Sequence, residues 1–218
     1  MRGVVLILLA CLVARPAVAC ETALLLAVDV SGSISLEEYT LQMEGLADAL
    51  EDPRIVAALV DGQSRVALVQ WSGKNNQRLS LPWQSMRTGA DVQALADEVR
   101  GIRRPQLRTV TAIGEAIRFS LAAFDAVTGC SHRVIDISGD GAENDGLTLP
   151  QARAEAVAAG VTINAIAIEV DDTDLRLSEY FLKKVITADG FVIIARDISD
   201  YPRAIRVKLL REIFRPVV

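Results

Sequence analysis

Five residues in this chain combine types and positions that could do chemistry. Asp29, Ser31 and Ser33 alternate in the stretch Asp29-Val30-Ser31-Gly32-Ser33. Much further along, Thr111 opens Thr111-Ala112-Ile113-Gly114, and Asp140 sits within Ser138-Gly139-Asp140-Gly141. Three hydroxyls and two carboxylates make an all-oxygen donor set. Hard divalent cations such as Mg2+ or Mn2+ favour such sets, and Mg2+ keeps near-octahedral geometry with some waters retained. Two carboxylates would bring the ion near neutrality, while neutral hydroxyls would leave it electrophilic. A carboxylate from another molecule could then complete the shell. Gly32 is expected to let the chain turn tightly between the two serines. The competing reading is that strand-end Asp and Ser residues only cap turns and helices.

These residues need elements to hold them. Ala23 to Val28 is a short unbroken apolar run that suits a strand buried on both faces and ends in Asp29. Ser35-Leu36-Glu37-Glu38 resembles a capping box and starts a helix to about Leu50. Arg65 to Trp71 reads as a second strand, and Leu79 to Trp83 as a short edge strand, since Pro82 is tolerated only at an edge. Helices are expected over Asp91 to Arg100 and Ala112 to Ala126, followed by a buried strand over His132 to Ile137. Pro150 suits a first helical turn and Gly160 a helix stop. A strand over Val161 to Glu169, an amphipathic helix over Leu175 to Thr187, a strand over Phe191 to Ala195 and a helix over Tyr201 to Phe214 complete the chain. Alternating strands and helices imply an α/β fold with a mostly parallel sheet. In such sheets ligands bind outside the carboxyl ends of the strands, which is where the five donors fall.

The bulk composition narrows the function classes. The 218 residues are 51% hydrophobic and 23% charged, which excludes a disordered chain. A formal net charge of -5 argues against nucleic acid, whose phosphates need clustered cations. Arg100, Arg103, Arg104 and Arg108 do cluster, but without interleaved aromatics they read as a solvated face or docking patch.

Residues 1–19 form a class of their own. Arg2 gives a positive start, Val4 to Val13 is apolar, and Ala17-Val18-Ala19 has the small-x-small form of a cleavage site. The apolar run is shorter than the roughly 20 residues a membrane span requires. The reading is a secretory signal peptide, an exported periplasmic or secreted protein over 20–218, and no transmembrane segment after cleavage. Cys11 would leave with the signal, so Cys20 and Cys130 remain. An even pair in an exported chain suggests a disulfide. The alternative is a lipidated Cys20, against which stands Ala17, where such signals usually carry Leu.

Enzyme chemistry finds little support. His132 is the single histidine and is placed at the start of a strand, opposite the candidate site. Ser138 lies in Ser-Gly-Asp-Gly and not in a nucleophile elbow, and no phosphate-binding glycine pattern occurs. No catalytic residue is assigned. Asp136, inside a strand, is expected to pair with a backbone group or water. Glu143 and Asp145, and Asp171, Asp172 and Asp174, should lie near the same rim as solvated loop residues, the alternative being that they tune the cation or hold a second one. Trp71 and Trp83 are expected to be packing residues, with Trp71 adjoining a loop at the ligand rim.

The Asp29-x-Ser31-x-Ser33 motif, with Thr111 and Asp140 following in that order, resembles the metal-ion-dependent adhesion site of von Willebrand factor type A domains. The resemblance runs from Leu24 to Phe214. Leu-Ala-Val-Asp-Val-Ser-Gly-Ser and Val-Ile-Asp-Ile-Ser-Gly-Asp-Gly are similar to a proteobacterial subfamily of exported type A proteins of unassigned function. It implies a doubly wound, Rossmann-like sheet, mostly parallel with one short antiparallel edge strand, and helices on both faces. It also implies Ser31, Ser33 and Thr111 as hydroxyl ligands, with Asp29 and Asp140 binding directly or through water. Gly139 departs from the Thr-Asp-Gly of many members and should only loosen the loop. The family's strand order sets the first strand beside the fourth, which brings Cys20 and Cys130 to the same end and supports a bridge between them. The function implied is a Mg2+-dependent binding module, recognising a protein partner through an acidic group. The alternatives are a Mg2+-dependent phosphoryl-transfer or hydrolytic enzyme, and a structural envelope protein stabilised by its metal.

Overall fold

A computed structural model describes residues 20–105, 110–169 and 176–214. The expected signal peptide at 1–19, Arg108, the Asp171, Asp172 and Asp174 group and the start of the helix expected from Leu175 lie outside the described residues. Six strands form one sheet: β1 (Thr22–Asp29), β2 (Arg65–Trp71), β3 (Gln77–Ser85), β4 (His132–Gly139), β5 (Thr162–Ile168) and β6 (Val192–Ala195). Their order is β3-β2-β1-β4-β5-β6. Every pairing is parallel except β2 with β3, an antiparallel edge interrupted by irregular register between Val66 and Val69. Pro82 lies on β3, the edge strand where its missing N–H does least harm.

All eight residues of β1 are buried, because the strand is covered on both faces. Leu24, Leu26 and Val28 enter a core shared with α1 (Leu36–Leu50), α2 (Pro53–Asp61), α3 (Gly89–Gly101) and α7 (Tyr201–Ile213). Ala23, Leu25 and Ala27 point the other way, into a core with α4 (Ile113–Ala123), α5 (Leu149–Ala158) and α6 (Leu177–Tyr180). The period-2 alternation of a strand thus divides one apolar run between two cores. Each fully buried leucine contributes roughly 1.5–3 kcal/mol of transfer free energy.

The caps follow the sequence closely. Ser35 accepts from the Glu38 amide at 3.2 Å, and the Glu38 carboxylate accepts from the Ser35 amide at 2.7 Å. Gly160 stops α5 with a positive φ of 64°. Two elements differ from expectation. The sequence reading leaves 53–61 unassigned, yet Asp52 caps a helix there, with Pro53 in its first turn. The amphipathic stretch expected over 175–187 is a single α-turn that passes into a π-turn, Phe181–Val185.

Cys20 and Cys130 are disulfide-bonded, with Cα atoms 4.3 Å apart. Beside them the Ser131 amide donates to the Cys20 carbonyl, and Thr22 pairs with His132 at the start of the β1–β4 ladder. The bridge closes a loop across a sequence separation of 110. In a chain-entropy picture a loop of that length is worth about 4–5 kcal/mol. No helix among the described residues is long and apolar enough to cross a membrane.

Candidate functional site

β1 and β4 are parallel neighbours, and the strand order reverses between them. Connections leave this point in opposite directions, so a crevice opens beyond the carboxyl ends of the two strands. Val28 is in register with Ser138, so Asp29 ends β1 beside Gly139 at the end of β4. Four of the five candidate donors lie on these two strand ends, and the fifth comes from the turn before α4.

The loop after β1 is a tight turn in which the Ile34 amide donates to the Ser31 carbonyl at 3.2 Å. Gly32 is not among the glycines with positive φ, so the turn makes no use of glycine's left-handed freedom. The Ser31 amide donates to Asp29 Oδ1 at 2.7 Å. Ser31 Oγ lies 3.0 Å from Ser33 Oγ, and Ser33 Oγ donates to Asp140 Oδ1 at 2.8 Å. Thr111 is buried, and its hydroxyl lies 3.7 Å from where a Cβ on Gly141 would stand. Asp29, Ser31, Ser33 and Asp140 are thus joined in one run of contacts, with the Thr111 hydroxyl beside the neighbouring Gly141.

Asp29 is fully buried, and its Oδ2 has no hydrogen-bond partner. Burial first, and the charge of Asp140 second, push its pKa up to about 7 against the hydrogen bonds from Ser31 and a smaller pull from the Asp140 backbone. Burial likewise raises Asp140, with Ser33 pulling the other way. A buried carboxylate oxygen without a donor is costly unless a cation meets it. The hydroxyl and carboxylate donors beside it suit a hard divalent ion.

Gly139 does something other than loosen the loop. It is the last residue of β4, and a Cβ there would stand 3.2 Å from Asp29 Oδ2 and 3.6 Å from the Trp71 ring. The missing side chain is what lets the two strand ends close on the Asp29 carboxylate. Trp71 is buried packing beneath the site, as expected. Trp83 also packs, with its ring 5.2 Å from Phe124 and its Nε1 donating to the Ala123 carbonyl at 2.8 Å.

Several residues act here that the sequence reading missed or misassigned. Arg104 donates to the Ser31 carbonyl at 2.8 Å and to the Val30 carbonyl at 3.3 Å, holding the serine loop from outside. Arg100 instead joins Glu44, Asp48 and Glu51, binding α3 to α1. Two members of the expected basic patch, Arg100 and Arg104, thus have separate structural tasks. Glu143 is not a solvated loop residue, because its carboxylate accepts from the Gly114 and Leu149 amides at 2.8 and 3.2 Å. Asp145 accepts from the Lys74 amide at 2.6 Å. Asn144 braces Thr111 by accepting from its amide at 2.8 Å and donating to its carbonyl at 2.9 Å. A small cleft of about 150 Å3 adjoins Asp140, with Glu38, Glu169 and Asp197 on its walls. None of these roles has a local spacing signal, because each joins segments far apart in sequence. His132 begins β4, at the end of the sheet opposite the site.

Comparison with known proteins agrees with this architecture. Residues 19–217 match a family described as a protein of unknown function (DUF1194). No curated protein matches the chain. Among solved structures, proximal thread matrix protein 1 of the mussel byssus is similar with a TM-score of 0.67 and 16% identity, covering 87% of this chain and 47% of its own. A second structure of that protein has a zinc-occupied MIDAS motif, with a TM-score of 0.66 and 18% identity over 87% of this chain and 47% of that one. The pilus adhesin SpaC of Lactobacillus rhamnosus GG is similar with a TM-score of 0.67 and 14% identity, covering 89% of this chain and 30% of that one. A von Willebrand factor type A protein of Catenulispora acidiphila gives 0.62 and 17%, covering 89% and 43%. The chain spans less than half the length of these proteins. At such identities the likeness establishes the fold, which is the von Willebrand factor type A fold expected from the motif.

Proposed function

The chain belongs to the DUF1194 family of proteins of unknown function, and we propose that it is an exported binding module whose type A fold presents one divalent cation to an acidic group on a partner protein. Ser31, Ser33 and Thr111 supply hydroxyls, and Asp29 and Asp140 supply carboxylates directly or through water. Mg2+ is the ion this hard-oxygen set suits best, with Mn2+ as a substitute. When bound, the cation would act as an electrophile for an incoming carboxylate.

The observation that carries this reading is the fully buried Asp29 carboxylate, with one oxygen unpartnered and hydroxyls from the neighbouring turn beside it. A cation there removes the penalty that raises the Asp29 pKa. Arg104 fixes the serine loop by its carbonyls and so keeps the hydroxyls in place for the ion. Export is supported by the apolar leader over residues 1–19 and by the Cys20–Cys130 bridge, which persists in oxidising compartments. Catalysis is left out of the proposal because the single histidine, His132, stands at the opposite end of β4.

Thermal unfolding of residues 20–218 in excess Mg2+ and in EDTA tests the metal. Wild type should gain about 2.7 kcal/mol at a hundredfold excess over Kd, and Asp140→Ala should gain nothing. An equal response in both proteins would discard the site. Capture of a secreted or periplasmic protein that needs Mg2+ and fails with Ser31→Ala would separate binding from a purely structural metal.

A further inference from the structure

The segment that follows Asp140 builds a second concavity. A cleft of about 530 Å3 lies between the loop after β4, the first turn of α5 and the π-turn, within the size range of ligand pockets. Its apolar wall is Leu147, Leu149 and Pro150, and Tyr180 closes it by accepting a hydrogen bond from the Glu143 amide at 3.2 Å.

Leu147 is the unusual member. It is 73% exposed and holds a left-handed φ of 51°, beside Gly146 at 78°. A leucine in that region costs roughly 1–2 kcal/mol, and exposure returns little of it through packing. Glycine would relieve the strain. A large apolar side chain kept at such a position is accounted for by something that covers it.

The charges of the cleft are one-sided. Arg153 donates through Nε to the Ile186 carbonyl at 2.6 Å, so its guanidinium is fixed by backbone and, among the described residues, pairs with no carboxylate. Lys184 makes no ion pair among the described residues, and Lys183 has only the exposed Glu179 at 2.8 Å. The π-turn buries Phe181 and Val185 while leaving both lysines outside, on the cleft wall. The one acid in the lining, Glu143, is already held by two backbone amides. Within a chain of net charge -5, this is a positive cleft with an apolar floor.

We propose that this cleft is a second contact for the acidic partner, seating a hydrophobic side chain flanked by a carboxylate that meets Arg153 and Lys184. The identity of the partner rests on the function proposed above, while the chemistry of the contact rests on the cleft alone.

The test uses a capped peptide, acetyl-Glu-Leu-Leu-Glu-amide, titrated into residues 20–218 in EDTA and followed by amide chemical shifts. Saturable shifts are expected at Leu147 and Lys184, with affinity at least fivefold weaker for the Gln-for-Glu and Ala-for-Leu peptides. Lys184→Glu, an exposed substitution, should weaken binding at least fivefold, and the matched charge reversal Arg87→Glu, exposed beyond β3 at the opposite sheet edge, should leave it unchanged. Leu147→Gly should bind the peptide more weakly yet unfold at a higher temperature. Absence of saturable shifts in wild type, or shifts indifferent to Lys184→Glu, would overturn the cleft. Because EDTA silences the cation site, that failure is distinct from a missing Mg2+ response.

Discussion

β4 and the residue that follows it carry two aspartates four positions apart, Asp136 and Asp140, and each is set beside a second carboxylate. At Asp136 the neighbour is Glu212, and Lys208 of α7 pairs with both, reaching Glu212 Oε1 at 2.5 Å. Asn164 adds a donor to the same oxygen at 2.8 Å. At Asp140 the neighbour is Asp29, the side chains in hydrogen-bonding contact are hydroxyls, and Glu38 adds a further negative charge. Arg104, the cation close by, serves backbone carbonyls instead. The first pair carries its compensating charge covalently and is closed to solvent, with Lys208 fully buried. The second is built at the strand ends and leaves compensation to something that can come and go. Identical groups within and just beyond one strand thus become structure or site according to whether the fold provides the cation.

Removing Lys208 should break the contrast most severely. Lys208→Met leaves two buried carboxylates facing each other, and losing one partner of a buried pair costs about 3–5 kcal/mol. Chemical denaturation should show that loss whether or not Mg2+ is present, and a loss below about 1 kcal/mol would mean the triad is not the closed unit described.

Protons should act next, and differently at the two places. Burial, then Glu212, raises the Asp136 pKa against the pull of Lys208, while Asp29 is raised to about 7. Both folded-state values exceed the unfolded one of about 3.9. The stability linked to these protons is therefore complete below about pH 4 and lost as pH climbs toward 7. Mg2+ should cancel the Asp29 share alone, because it replaces that proton. Its affinity should then fall about tenfold between the plateau above pH 7 and pH 6, a change of roughly 1.4 kcal/mol. Calorimetric titrations at pH 6, 7 and 8 would read it, and a flat profile would remove Asp29 from the competition.

The smallest effect has the opposite sign from the first. Asp29→Asn keeps an acceptor for the Ser31 amide and deletes an uncompensated buried charge. In EDTA at pH 8 its stability should equal wild type or exceed it by about 1 kcal/mol, while the Mg2+ response disappears. A loss of several kcal/mol in EDTA would show that Asp29 is as structural as Asp136.

Much of the frame was legible before any coordinates. The apolar runs at Ala23–Val28 and His132–Ile137 mark buried strands; β1 extends the first by one residue at each end, and β4 extends the second by two at its carboxyl end. The capping box at Ser35 and the stop at Gly160 needed only local chemistry and were read as they stand. α2 was equally local, with Asp52 and Pro53 as its signals, but it begins just after α1 ends and was absorbed into the connection.

Asp136 shows where such reading stops. A backbone or water partner was expected, and its partner is Lys208, on a helix packed beneath the sheet from the far end of the chain. The same holds for Arg104 on the serine loop, Glu143 between two helix starts, and Gly139 making room for the Asp29 oxygen. The amino-acid order alone dictates which segments become strands and helices and which residues end them, and it places Asp29, Ser31, Ser33 and Asp140 at one rim. It could do so because burial periodicity, caps and strand ends are properties of neighbours along the chain. Which carboxylates are compensated from within and which are left for a cation is settled in three dimensions. That choice depends on which side chain from a distant element arrives within hydrogen-bonding reach, and packing sets it.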